Sequence, residues 1–126
     1  MRRLFLALTG SAVVVAMVAL GAAETQTITG QVIDLTCYAR MGRATGAAYD
    51  ECAHKNARAG YILGILTSET VYTIIGEMTS NENAKLVEFV GKAVQATGTV
   101  TEGGGPGTRL VGKRTIEVIS IKIERP

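Results

Sequence analysis

The chain has 126 residues, 47% hydrophobic and 19% charged, with a formal net charge of +2. That length is the size of one domain. With 13 basic against 11 acidic residues there is no cationic excess to neutralise a run of phosphates, so nucleic acid is not expected as a partner.

Residues 1–23 read as an export signal. Arg2 and Arg3 precede an apolar run from Leu4 to Leu20, interrupted only by Thr9, Gly10 and Ser11, and the small residues Gly21, Ala22 and Ala23 close it. A charged start, an apolar middle and a small-residue end are the three parts of a secretory signal peptide, with cleavage expected after Ala23. An uncleaved anchor is the alternative, although the 17-residue run falls short of the roughly 20 residues that cross a bilayer. Residues 24–126 are therefore expected to form a single periplasmic or secreted domain, with no stable membrane insertion after cleavage. That domain carries 11 basic and 11 acidic residues and is formally neutral.

The predicted elements of this domain are mostly strands. Thr25 to Ile33 alternates, with Ile28, Gly30 and Val32 on one face and Thr27, Thr29 and Gln31 on the other, the pattern of a strand with one buried face. Ala47 to Ala59 reads as a short helix with Tyr49, Cys52, Ala53 and Asn56 near one face. Tyr61–Thr67 and Thr70–Ile75 are apolar, β-branched runs at hairpin spacing, joined by Ser68 and Glu69 without the usual Gly or Asn. Asn81 to Val90 changes to helical spacing through Ala84, Leu86, Val87 and Val90, and Gly91 ends it. Val94, Ala96, Gly98 and Val100 form the inner row of a long strand. Gly103, Gly104, Gly105, Pro106 and Gly107 read as a hairpin loop, because no helix with Lys and Ser or Thr follows to make a phosphate cradle. The last strand runs from about Arg109 or Thr115 to Glu124. Its apolar set slips phase between Val118 and Ile119, as a β-bulge would make it.

Strand, helix-bearing loop, hairpin, helix and two strands define a mainly β fold. The expected architecture is a five-stranded OB-type barrel, with a short helix in the loop after strand 1 and a helix between strands 3 and 4. An open sandwich with a decorating helix is the alternative.

Cys37 and Cys52 are the only cysteines. In an exported chain an even count points to a disulfide. Closing a loop of about 16 residues is worth about 3 kcal/mol in the loop-entropy picture. Metal binding and thiol exchange are the alternatives. The 14 intervening residues depart from the Cys-x-x-Cys spacing of exchange catalysts. A metal site would draw on Cys37, Asp50, Cys52 and His54, with Asp50 and His54 at i, i+4, and it needs reduced thiols to reach three or four ligands.

The segments Gly30-Gln-Val-Ile-Asp34-Leu-Thr-Cys37-Tyr38, Cys52-Ala53, Gly60, Gly64-Ile-Leu, Val71-Tyr72, Leu86 and Gly91-Lys-Ala-Val-Gln-Ala-Thr97-Gly98-Thr99 resemble a family of small exported bacterial proteins of uncharacterised function. The resemblance covers nearly all of 24–126. It implies an OB-type barrel with a cysteine-bearing insertion after the first strand. Some members carry a His a few residues before the Cys-Ala pair and another Cys four residues after it. Tyr49 and Asn56 stand at those positions here, which removes two ligands and leaves Cys37 with Cys52 as a lone pair.

No nucleophile elbow, phosphate loop or HExxH motif is visible, and no cofactor is implied. The expected function is a non-enzymatic binding or structural module whose partner is a small ligand or an envelope protein. OB barrels bind across strands 2 and 3 and the adjoining loops. That neighbourhood contains Tyr38, Arg40, Arg43, Tyr61 and Tyr72, although the tyrosines serve equally well as core. The competing expectation is a metal or thiol-redox protein using Cys37, Cys52 and His54.

Overall fold

The computed structural model describes residues 24–102 and 114–125. The expected signal segment, and the glycine-rich connection from Gly103 onward, lie outside them. Five strands close a barrel: β1 (Glu24–Asp34), β2 (Leu63–Leu66), β3 (Val71–Ile75), β4 (Ala93–Glu102) and β5 (Arg114–Ile123). Their spatial order is β1-β2-β3-β5-β4, with β4 returning to β1. All pairs are antiparallel except β3 with β5. This is the expected OB-type barrel; the open sandwich is not formed.

Alternation sets which side chains enter. Val94, Ala96, Gly98 and Val100 of β4 are buried, while the intervening Gln95, Thr97 and Thr99 are half-exposed. On the outer face the Thr27 and Thr97 hydroxyls of β1 and β4 lie 2.9 Å apart. Val32, Ile33, Leu63, Ile65, Ile74, Leu86 and Ile116 complete the interior. The phase slip in β5 is a bulge: Thr97 pairs with Ser120 but Gly98 pairs with Val118, so Ile119 is the extra residue and stands 66% exposed. At this point β4 approaches β5 so closely that a Cβ on Gly98 would collide with the Glu117 carbonyl. A glycine in the inner row is thus a consequence of the bulge beside it.

The turn between β2 and β3 compensates for its missing Gly or Asn through Thr67. The Thr67 hydroxyl accepts from the Glu69 and Thr70 amides and donates to the Thr70 carbonyl, and the Thr67 amide also donates to that carbonyl at 2.9 Å. One side chain substitutes for a special backbone conformation.

Between β3 and β4 the chain departs from the regular helix expected over 81–90. It forms short turns at Glu77–Thr79, Ser80–Asn83 and Val87–Phe89. Asn81, Glu82 and Asn83 have φ values of 54°, 54° and 61°, in the left-handed region that interrupts a right-handed helix. The Asn83 amide shows what overrode the periodicity: Nδ2 donates to the Ala57 carbonyl at 3.0 Å and the Tyr61 carbonyl at 2.8 Å. Tying this buried side chain to the neighbouring helix and loop fixes the backbone, and Leu86 and Val90 still reach the core.

Two helices follow β1, where one was expected. α1 (Leu35–Met41) is followed by α2 (Ala47–Arg58). The Asp34 side chain caps α1 by accepting from the Cys37 amide at 2.7 Å, and Gly42, at φ 66°, ends it with its amide on the Tyr38 carbonyl. α2 turns Tyr49, Ala53 and Ala57 into the core at the i, i+4 spacing of one helix face. Cys52 is half-buried and packs against the core, bonded to the fully buried Cys37. The Gly- and Ala-rich segment between the helices is also held: Gln31 Nε2 donates to the Ala44 carbonyl at 2.7 Å, and Ala44 is buried.

Candidate functional site

The site is built from the last residue of β1 upward. Asp34 leaves the barrel fully buried, and its Oδ1 accepts from the Cys37 amide and from Asn56 Nδ2, the latter at 3.2 Å. Its own amide donates to the Tyr49 hydroxyl at 3.0 Å. Cys37 and Cys52 are joined in a disulfide with their Cα atoms 6.1 Å apart, and Asn56 Nδ2 also donates to Cys37 Sγ at 3.2 Å. Strand end, α1 and α2 are thus locked through Asp34, Asn56, Tyr49 and one cystine. Oδ2 of Asp34 has no hydrogen-bond partner among the described residues.

Burial pushes the Tyr49 phenol above its ordinary value of 10.0; the amide donated by Asp34 opposes the shift, and the nearby Asp34 and Asp50 carboxylates add to it. A raised folded-state value means that the fold favours the neutral phenol. The corresponding stability is complete below the unfolded value and is lost as pH rises through the folded one. Tyr49→Phe is expected to cost about 1–3 kcal/mol at neutral pH, because the Asp34 amide is left buried without an acceptor. The wild-type advantage over Tyr49→Phe is expected to shrink above pH 10.0, the ordinary tyrosine value. Denaturant melts of both proteins across alkaline pH check this; a constant difference contradicts it.

Outside this lock, α1 and the segment after α2 enclose a groove of about 550 Å³, lined by Leu35, Thr36, Ala39 and Arg40 on one wall and Gly60, Tyr61 and Ile62 on the other. Gly60, at φ 84°, turns the chain out of α2 into this wall. Tyr61 and Ile62 are 45% and 48% exposed, two of the largest apolar side chains left at the surface. The Leu35 amide donates to the Ile62 carbonyl at 3.3 Å and joins the two walls at the base of α1.

Of the five residues expected at a binding surface, the structure brings Arg40 and Tyr61 together here. Tyr38 and Tyr72 instead pack half-buried against the core, Tyr72 from β3 opposite Ile65, and Arg43 is exposed beyond the end of α1. Leu35, Thr36, Ala39, Gly60 and Ile62 were not anticipated. The signal that would have found the α1 wall is the Asp34 cap and the Gly42 stop, which together define a seven-residue helix.

The metal alternative drew on Cys37, Asp50, Cys52 and His54, but the two sulfurs are bonded to each other and are not ligands in this form. His54 Nδ1 donates to the Asp50 carbonyl at 2.7 Å, so the ring is turned onto its own helix. Among the described residues no group of three or more His, Cys, Asp or Glu converges. For thiol exchange, Cys37 is fully buried and only Cys52 is partly accessible. Among the described residues no helix is long and apolar enough to cross a membrane. In comparison with known proteins, no family model matches the sequence, and no curated protein or solved structure matches it significantly.

Proposed function

We propose that the chain is an exported, non-enzymatic binding module that holds a small ligand in the groove between α1 and Gly60–Ile62. The observation that carries this reading is the groove itself. Its volume of about 550 Å³ lies within the range of small-molecule clefts, it is mainly apolar, and it carries few polar groups. The cystine supports the same reading, because it fixes the α1 wall to α2, and a preformed wall avoids the entropy of ordering it on binding. Export follows from the signal at 1–23, and a disulfide is compatible with an oxidising compartment. The family resemblance supports the barrel and its insertion and leaves the ligand open.

The neutral fluorophore Nile red tests the groove. Its emission is expected to rise and shift to the blue on adding the oxidised protein, and Ala39→Trp, which fills the groove, is expected to abolish the change. Ile119→Ser, on the bulge of β5, is expected to leave it intact. Equal signals from wild type and Ala39→Trp would remove the groove from consideration. N-terminal sequencing of exported protein is expected to begin at Glu24, and a chain retaining Leu4–Leu20 would overturn the export reading.

A further inference from the structure

The two walls of the groove offer different things to a ligand. On the Gly60–Ile62 wall the backbone is largely engaged within the chain. The Gly60 amide donates to the Ala57 carbonyl, the Tyr61 amide to Asn56, the Tyr61 carbonyl accepts from Asn83, and the Ile62 carbonyl accepts from Leu35. An extended peptide added along this wall would find few main-chain partners, and main-chain bonds supply much of the affinity when a strand is added. What remains is side chain: Leu35, Ala39, Tyr61 and Ile62 give an apolar surface, and among the described residues Arg40 is the one charged residue lining it.

Arg40 has no ion-pair partner among the described residues, where the close pairs are Lys85 with Glu77 and Arg114 with Glu102. It stands in the last turn of α1. Glu82 packs beside Gly60, its Cα 3.5 Å from where a Cβ on Gly60 would be. Arg40 therefore makes the α1 wall the place in the groove for a negative head group. A guanidinium can hold both oxygens of a carboxylate in one planar contact.

We infer that the ligand is a single-chain fatty carboxylate, its alkyl chain along Leu35, Ala39 and Ile62 and its carboxylate on Arg40. This rests on reading the groove as the binding site, and adds the chemistry that occupies it. Because Arg40 is exposed, the head-group contact is worth only as much as a good surface ion pair, about fivefold in affinity.

Oxidised protein is titrated with dodecanoate, dodecanol and dodecyltrimethylammonium below their micelle concentrations, by calorimetry and by displacement of Nile red. Dodecanoate is expected to bind about fivefold more tightly than dodecanol, and the cation most weakly. Arg40→Gln is expected to erase the preference for the carboxylate over dodecanol while leaving the thermal melt unchanged. Binding that is blocked by Ala39→Trp but indifferent to head group would keep the groove as a site and overturn the carboxylate. Binding of none of the three amphiphiles overturns both. Tighter association with phosphatidylglycerol vesicles, or with an apolar peptide ending in a free carboxylate, than with dodecanoate also overturns the inference.

Discussion

Replacing both Cys37 and Cys52 by alanine is expected to lower the stability of the domain by about 3 kcal/mol, from the loop-closure entropy returned to the unfolded chain. In a domain of about 100 residues that corresponds to a fall in Tm of roughly 12–24 °C. The loss is large because the cystine joins α1, which has seven residues, to α2, and a helix that short is marginal alone. Circular dichroism melts of the double variant, and of wild type with and without reductant, measure it. Reductant is expected to bring wild type down to the variant and to leave the variant unmoved. A drop of only a few degrees in both would mean that the contacts of Asp34, Tyr49 and Ala44 hold α1 without the staple.

Asp34→Ala carries the second large effect. It removes the cap of α1, the bond from the Cys37 amide, worth about 0.5–2 kcal/mol, and it takes from Asn56 Nδ2 one of its two acceptors, at about 0.5–1.5 kcal/mol. Together a loss of about 1–3.5 kcal/mol is expected. Asp34→Asn keeps an oxygen in the Oδ1 position, so it is expected to stay within about 1 kcal/mol of wild type. Urea unfolding of the three proteins distinguishes the cases; equal losses in Ala and Asn would show that the charge, rather than the acceptor, matters at this position.

The barrel was legible because its signals are local. The alternation of Val94, Ala96, Gly98 and Val100 and the phase slip at Ile119 are properties of single strands, and both survive into the fold. The cystine was legible from a count of two and the expectation of export. The site was less so. The walls of the groove come from Leu35–Arg40 and Gly60–Ile62, which the chain brings together only by running through α2 and folding back, and neither segment has a periodicity that marks it. Expecting tyrosines and arginines at the surface named Arg40 and Tyr61, which line the groove, together with Tyr38 and Tyr72, which pack on the core, since an aromatic that covers a core and one that lines a groove look alike in one dimension. The helix expected at 81–90 failed for a related reason. Its apolar spacing is real for Leu86 and Val90, but the buried amide of Asn83 is satisfied by Ala57 and Tyr61, more than 20 residues away, and that tertiary bond sets the backbone.

The pairing of β1 with β4 aligns Glu24 with Val100 and Gln31 with Ala93. A chain delivered from its N-terminus presents β1 first, and the strand along most of its length must wait for residues near 100 before it is paired. Cys37 and Cys52 emerge well before that, so oxidation can precede closure of the barrel and leave the two helices already tethered. Pairings so distant in sequence carry a large loop-closure entropy, so the β1–β4 ladder adds to the contact order that slows folding. Until that pairing forms, the β1 edge is unpaired along Glu24 to Gln31, and Glu24 is the one charged residue on that stretch.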